Sequence, residues 1–116
     1  MGIWAWLFGV RSNPMPEKEW LAISFKLSDG QFGSRDERER VHRFSDQLAA
    51  LVEKQGVGEV DGDEFGNGEG TLFLTGSDAN KVFDVVRSAL SDWEALKGGY
   101  VIKRYGDKAR QERIDF

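Results

Sequence analysis

Apolar and other residues alternate along positions 20 to 27, which is the regular spacing of a β-strand. One side of this segment carries Leu21, Ile23, Phe25 and Leu27. The other side carries Trp20, Ala22, Ser24 and Lys26. Because successive strand residues point to opposite faces of a sheet, the pattern predicts a half-buried strand with its aliphatic side toward a core.

Two other segments repeat apolar residues every three or four positions, as an amphipathic helix does. The first begins after Ser34, which forms a capping-box pattern with Glu37, and ends at Gly56. Its apolar stripe consists of Val41, Phe44, Leu48, Leu51 and Val52. The second begins after Asp78 and ends before Gly98. Its stripe consists of Val82, Phe83, Val86, Leu90 and Trp93.

Residues 57–76, between the helices, predict a hairpin rich in glycine and carboxylates. A two-residue turn at Asn67 and Gly68 would set Asp61 and Asp63 against leucines and direct carboxylates into the core. A three-residue loop over 66–68 avoids this, and we predict it for that reason. The buried face then pairs Val60 with Leu74 and Gly62 with Leu72, and the outer face pairs Glu59 with Thr75, Asp61 with Phe73 and Asp63 with Thr71.

Two shorter alternating segments close the chain. Tyr100 to Tyr105 predict a strand, and Gln111 to Phe116 predict an edge strand reached through a turn at Gly106 to Lys108. The order of elements is strand, helix, hairpin, helix and strand, followed by the extra carboxy-terminal strand. Helices grouped on one face of an antiparallel sheet define an α+β fold, and this order predicts the ferredoxin-like βαββαβ sandwich.

Length, composition and charge narrow the class of protein. The 116 residues correspond to one domain, and 40% hydrophobic with 31% charged residues is typical of a folded chain. We place an apolar amino-terminal segment and proline linker at 1–18 and a single α+β domain at 19–116. The formal charge of −4 argues against a nucleic-acid partner, because such binding needs Lys and Arg to neutralise phosphates. The absence of cysteine removes disulfides and thiolate ligands, which fits a cytoplasmic protein.

The most apolar run of the chain, Ile3 to Phe8, precedes a breaker from Ser12 to Pro16. The run is too short to span a bilayer, and no basic region precedes it as in a signal peptide. We therefore predict no transmembrane segment. Three interpretations stay open: a short helix docked on the domain, an element of partner or self-association that would form a homodimer, and an interfacial membrane contact.

From residue 57 onward the chain resembles a group of small bacterial hypothetical proteins with no assigned activity. The group shares a hairpin of the form G-E-x-D-G-x-E-x-G-x-G-E, which is Gly58 to Glu69 here. It also shares a glycine at the end of a strand, an Asp-Ala helix start and a later R-Y-G, which are Gly76, Asp78-Ala79 and Arg104 to Gly106 here. The resemblance implies a bacterial, cytoplasmic protein and brings no chemistry with it.

The carboxylates of the hairpin invite two chemical interpretations, and the sequence supports neither. A calcium loop starting at Asp61 would need ligands at its positions 5 and 12, where this chain has Phe65 and Leu72. Acid–base work by Asp61 and Asp63 would need burial to separate their pKa values, and an open strand face provides none. The single histidine, His42, is interpreted as a surface residue of the first helix. We expect no catalytic residue, no metal site, no cofactor and no enzymatic activity.

The sheet face left uncovered by the helices is predicted to carry exposed aromatic side chains beside carboxylates. Trp20 and Phe73 lie on neighbouring central strands in the ferredoxin-like order. RNA-recognition domains stack bases on such a pair, but the glycine-aromatic consensus of that family is absent. Aromatic side chains ringed by acidic groups suit a basic protein partner. The predicted partner-binding residues are Trp20, Phe73, Glu59, Asp61, Asp63 and Glu69.

The sequence thus predicts a non-enzymatic protein-interaction domain that binds a protein partner through the open sheet face and the acidic hairpin. Its most specific version is an immunity protein that neutralises a basic toxin. The alternative is a small-ligand-binding protein or an enzyme of unknown chemistry, with a pocket between the loop at Gly30 to Gly33 and the sheet edge. Tyr100, Arg104 and Tyr105 would then supply polar contacts.

Overall fold

The computed structural model describes residues 18–28, 30–106 and 110–116, and they form an α+β fold. The elements are β1 Glu19–Lys26, α1 Arg35–Lys54, β2 Gly58–Gly66, β3 Glu69–Gly76, α2 Ala79–Asp92, a 3-10 helix Glu94–Leu96, β4 Tyr100–Arg104 and β5 Gln111–Asp115. The strands and helices predicted from this part of the sequence are present. The apolar run at 3–8 and most of the turn at 106–108 lie outside the described residues, so the predictions made for them stay predictions.

The five described strands form one antiparallel sheet in the order β2-β3-β1-β4-β5. β1 lies at its centre, where Leu21 is opposite Leu74 of β3 and Lys103 of β4. The outer strands of this sheet are β2 and β5. The acidic hairpin therefore lies at one side of the sheet, and the carboxy-terminal strand lies at the other.

The main core lies between the two helices and one face of the sheet. Its strand residues are Leu21, Ile23, Phe25, Leu72, Leu74 and Val101. Its helix residues include Val41, Phe44, Leu48, Val52, Val82, Phe83, Val86 and Leu90. Fully burying one such side chain stabilises a fold by about 1.5–3 kcal/mol, which is why the helical stripes face the sheet. No helix of the described chain has the length and apolar character needed to cross a membrane.

Both helices begin at the residues that the sequence predicts. The Ser34 hydroxyl oxygen accepts a hydrogen bond of 3.1 Å from the amide of Glu37, and Asp78 Oδ1 accepts from two amides of the first turn of α2. These caps satisfy amides that have no partner within the helix. The Glu37 side chain also makes contacts outside the helix. Its Oε2 accepts hydrogen bonds from the amide and the hydroxyl of Ser28. It ties the loop after β1 to the start of α1.

The helix α2 ends at Asp92, one residue before the last position of its predicted stripe. Trp93 follows it, and the Trp93 ring stacks on Phe44 of α1 with centroids 4.0 Å apart and an interplanar angle of 11°. The same ring meets Phe25 of β1 edge-on at 4.9 Å. Trp93 thus joins α1 to the sheet, and these aromatic contacts account for its place in the apolar pattern.

The hairpin turns through two residues, so the predicted three-residue loop is wrong. Gly66 is opposite Glu69, and the turn consists of Asn67 and Gly68 with φ values of 54° and 76°. Two successive residues with positive φ form a type I′ turn, for which Asn-Gly is a preferred sequence. The twist of this turn matches the twist of the strands that it joins.

A β-bulge at Asp61 reconciles the two-residue turn with an apolar buried face. Before the bulge the predicted pairs are present, namely Glu59 with Thr75 and Val60 with Leu74. After it the pairs are Gly62 with Phe73, Asp63 with Leu72 and Glu64 with Thr71. The predicted pairs of Gly62 with Leu72, Asp61 with Phe73 and Asp63 with Thr71 are therefore wrong. The extra residue of a bulge reverses the face to which the following side chains point, which brings Asp63 to the helix side.

Candidate functional site

The carboxylates of the hairpin lie along an outer edge of the described sheet. In the described sheet β2 pairs with β3 on one side only. Its nine residues include four acidic ones, Glu59, Asp61, Asp63 and Glu64, and neither Lys nor Arg. The other outer strand, β5, mixes both signs of charge through Glu112, Arg113 and Asp115. The two edges of the sheet therefore present different charges to a partner.

The bulge distributes the β2 carboxylates over both faces of this edge. Side chains directly opposite each other on paired strands point to the same face. Asp63 is opposite Leu72 and so lies on the side of the helices. Glu59 and Glu64 are opposite threonines of β3 and lie on the other face. Negative charge thus surrounds the edge from both sides.

Two of these carboxylates have a positively charged or titratable neighbour. Lys18 Nζ lies 3.4 Å from Glu59 Oε1, and His42 Nε2 lies 3.4 Å from Asp63 Oδ2. Side-chain exposures of 41% and 56% in the first pair, and 56% and 34% in the second, leave all four side chains in contact with solvent. Surface pairs of this kind contribute about 0–1 kcal/mol, so they leave the carboxylates available to a partner. His42 is exposed, as predicted.

The loop after β1 fixes the tip of the hairpin. The amide of Gly68 donates to the carbonyl of Gln31 at 2.8 Å, and the carbonyl of Gly68 accepts from the amide of Leu27 at 2.8 Å. Glu69, next to the turn, is exposed. These hydrogen bonds hold the tip of the hairpin in place, and they thereby fix the backbone next to Glu69.

Trp20 and Phe73 are buried, which corrects the prediction that both are exposed. Their exposed fractions are 3% and 0%. The two rings are neighbours, with centroids 6.3 Å apart in an edge-on arrangement. They belong to a second apolar cluster on the sheet face opposite the main core. A buried aromatic pair stabilises the folded chain and is not presented to a partner, so the exposed part of the predicted surface is acidic.

The structure separates the six predicted residues into two groups. Glu59, Asp63 and Glu69 are exposed, and Asp61 is half-buried at the bulge. The two aromatic residues are interior. The acidic residues all belong to the β2–β3 hairpin, so we define this hairpin edge, residues 58–69, as the acidic edge.

The structure separates Arg104, one residue of the alternative ligand pocket, from the loop at 30–33. The loop at 30–33 binds the hairpin tip, beside Lys26 at the end of β1. Arg104 of β4 is opposite Trp20, near the beginning of β1. Six residues of strand separate the two places by about 20 Å. Arg104 therefore does not share a cavity with the loop, whereas Tyr100, opposite Ser24, lies at the end of β4 nearer to it.

An open groove of about 530 Å³ lies at the base of the hairpin, lined by Lys18, Glu53, Val57, Glu59, Thr75 and Ser77. It places one ammonium group near two carboxylates. Within the described residues, no group of three or more His, Cys, Asp or Glu side chains is arranged to hold a metal ion.

A polar network around Lys103 is the feature that sequence reasoning missed. Lys103 points to the helix side of β4 and is 9% exposed, yet its Nζ donates to Asn80 Oδ1 at 2.9 Å and lies 3.1 Å from Glu112 Oε1. The same ammonium group lies 4.7 Å from the centre of the Phe83 ring. The hydrogen bond from Lys103, its positive charge and the Tyr105 hydroxyl lower the pKa of Glu112 below its usual 4.5. The network joins α2, β4 and β5.

Glu19 makes a second link close to this network. Its Oε1 accepts a hydrogen bond of 2.9 Å from the amide of Ala79, and its Oε2 accepts one of 2.8 Å from the amide of Gly106. One carboxylate therefore joins the start of α2 to the end of β4. These amides belong to the Asp-Ala and R-Y-G parts of the motif described above, so the separated parts of that motif meet in space. No pattern of local spacing could have indicated this contact.

Comparisons of the chain with protein-family models, with curated proteins and with solved structures find no match.

Proposed function

We propose that this protein is a non-enzymatic interaction domain whose acidic edge binds a basic protein partner. The observation that carries the proposal is the difference between the two outer strands. β2 combines four acidic residues with no Lys or Arg, whereas β5 is mixed in charge. An edge strand with only negative side-chain charges attracts a positively charged partner and accelerates their encounter. It also repels partners of negative charge.

The positions of the carboxylates support binding through side chains. Glu59 and Glu64 point to one face of the edge and Asp63 to the other, so a partner that clasps the edge meets carboxylates on both sides. The bulge at Asp61 and the charges themselves hinder the addition of another β-strand, as in edges that resist aggregation. The partner is therefore expected to present Arg and Lys side chains to the acidic edge.

The most specific version of the proposal is an immunity protein for a basic toxin in the cytoplasm. Acidic surfaces suit this role because toxins that cleave nucleic acids bind phosphates through positively charged surfaces. Because Trp20 and Phe73 are buried, the proposed contact relies on the carboxylates of the acidic edge.

We further propose that the fold is the ferredoxin-like βαββαβ sandwich with β5 added at its side. The succession of elements through β4 supports this, as does the pairing of β1 with both β3 and β4. In that arrangement the acidic edge is one of the two sides of the sheet available to a partner.

The experiment is affinity capture from cells that make the protein naturally, followed by identification and quantification of the bound protein. The test variant combines Glu59→Gln, Asp63→Asn and Glu69→Gln. We expect the amount of partner captured by this variant to fall about tenfold or more below that of the native chain. A tenfold weaker affinity corresponds to a loss of roughly 1.4 kcal/mol of binding free energy.

The matched control combines Asp46→Asn, Asp84→Asn and Asp92→Asn, three exposed carboxylates on the helices. It changes the net charge by the same amount and should retain the partner at the native level. Equal losses in both variants would mean that only overall charge matters, and no loss in either would contradict the proposed site.

A further inference from the structure

The sheet face opposite the main core carries a second apolar cluster. Trp20 and Ala22 of β1 and Phe73 of β3 are its buried members, with exposed fractions of 3%, 2% and 0%. Ile102 of β4 packs against them. These strands are neighbours in the order β3-β1-β4, so the cluster crosses the middle of the sheet. All of its described members are strand residues.

A single sheet face cannot bury such a cluster completely by itself. Side chains stand roughly perpendicular to the sheet, so adjacent strands, about 4.8 Å apart, shield their flanks and leave their tips open. Complete burial needs a further layer about 10 Å above the sheet. The helices provide this layer on the other face, where their apolar residues join the main core.

The low exposure of this face is a property of a single chain. The exposed fractions of Trp20 and Phe73 are those of one chain with no partner present. A second copy is therefore not needed to exclude solvent from this face. None of the described members of the cluster comes from a helix, and residues 1–17 lie outside the part of the chain that the structure describes.

We infer that the apolar run at 3–8 docks on this second cluster and forms the third layer of the domain. The run Ile-Trp-Ala-Trp-Leu-Phe is the most apolar of the sequence, as a covering segment requires. The residues between position 8 and β1 span up to about 33 Å when extended, and the cluster crosses two strand spacings, about 10 Å. The linker is thus long enough for the run to return over the sheet.

Tethering favours this occupant over a second copy or a membrane. A short linker gives the run an effective concentration in the millimolar range at its own sheet. The docked run leaves the acidic edge accessible, because the cluster lies on β1, β3 and β4 and not on β2. The inference is independent of the proposed function, because the cluster and the acidic edge consist of different residues.

The test is nuclear Overhauser spectroscopy on the full chain. We expect cross-peaks between the methyl groups of Ala22 or Ile102 and the indole ring protons of Trp4 or Trp6. In a mixture of isotope-labelled and unlabelled chains, the isotope-filtered spectrum should lack these peaks. Their absence from the uniformly labelled sample would overturn the inference, and their appearance in the filtered spectrum would assign the face to a second copy.

A fluorescence measurement on full-length variants provides a second readout. Replacing Trp4, Trp6 and Trp93 by Phe leaves Trp20 as the reporter. Adding Leu7→Asp and Phe8→Asp should raise its acrylamide quenching constant several-fold, whereas the matched Ser12→Asp control in the linker should leave it unchanged. Equal quenching in all three proteins would contradict a docked run. Binding of the native chain to phosphatidylcholine vesicles, with a blue shift of the Trp4 and Trp6 emission, would instead indicate a membrane contact. That result would also overturn the inference.

Discussion

Lys103 Nζ lies 3.1 Å from Glu112 Oε1, on the side of the sheet that faces the helices. The contact joins β4 to the outer strand β5, and Asn80 extends it to the beginning of α2. A lysine that is 9% exposed needs such partners, because burying an unpaired ammonium group is costly. The network is thus part of what holds the carboxy-terminal edge of the sheet.

The lowered pKa of Glu112 gives stability a defined pH dependence. The hydrogen bond and charge of Lys103 favour the ionised carboxylate in the folded state, so its pKa lies below the unfolded value near 4.5. The contribution is present above that value and is lost as pH falls through the folded pKa. Urea unfolding at about pH 7 and about pH 3 should show a larger free-energy gap between native chain and Glu112→Gln at the higher pH. A gap that is equal at both pH values would contradict this role.

Phe73 should behave as a core residue. It is 0% exposed, so Phe73→Ala should lower the free energy of unfolding by about 3–5 kcal/mol. Phe32, which is 55% exposed, is the matched control, and Phe32→Ala should change it by less than about 0.5 kcal/mol. Similar small effects for both substitutions, measured by urea unfolding, would mean that Phe73 is accessible after all.

Two of the glycines of β2, Gly62 and Gly66, should respond differently to alanine. Gly62 follows the bulge with φ of 151°, a conformation that side chains disfavour, so Gly62→Ala should destabilise the fold by about 1 kcal/mol or more. Gly66→Ala should cause no comparable loss, because the new Cβ meets only the Phe32 ring at 3.9 Å. Thermal unfolding of the two variants distinguishes them. Equal effects would argue against the bulge.

Local signals in the sequence identify most of the fold. Ser34 and Asp78 cap the helices where predicted, since capping depends on residues within one turn. The pairing of Val60 with Leu74 also follows the prediction. These contacts are set by short-range pattern, which a single sequence displays.

The positions of the apolar residues of β2 are consistent with a bulge, but their alternation does not show where the extra residue lies. Val60 and Phe65 both pack against the main core, although they are five positions apart. A regular strand would point residues separated by an odd number to opposite faces, so one extra residue must lie between them. The Asn67-Gly68 turn does not force a carboxylate into the core, because Asp63 at the outer edge stays partly solvated beside His42.

The burial of the second apolar cluster and the contacts of Lys103 are not visible in the local pattern of the sequence. Strand periodicity assigns Trp20 to a face, but it does not tell whether that face is exposed. Lys103 occupies an inward position, and its burial depends on Asn80 and Glu112. Neither could be predicted from local spacing, and the burial of Trp20 leaves the acidic edge as the exposed part of the predicted site.

The most direct test of the acidic edge is chemical-shift mapping of the isotope-labelled chain as the captured partner is added. The account predicts the largest amide shifts along 58–69, with progressive weakening as salt screens the charges. Shifts concentrated on β5, or on the helices, with residues 58–69 unaffected, would contradict it.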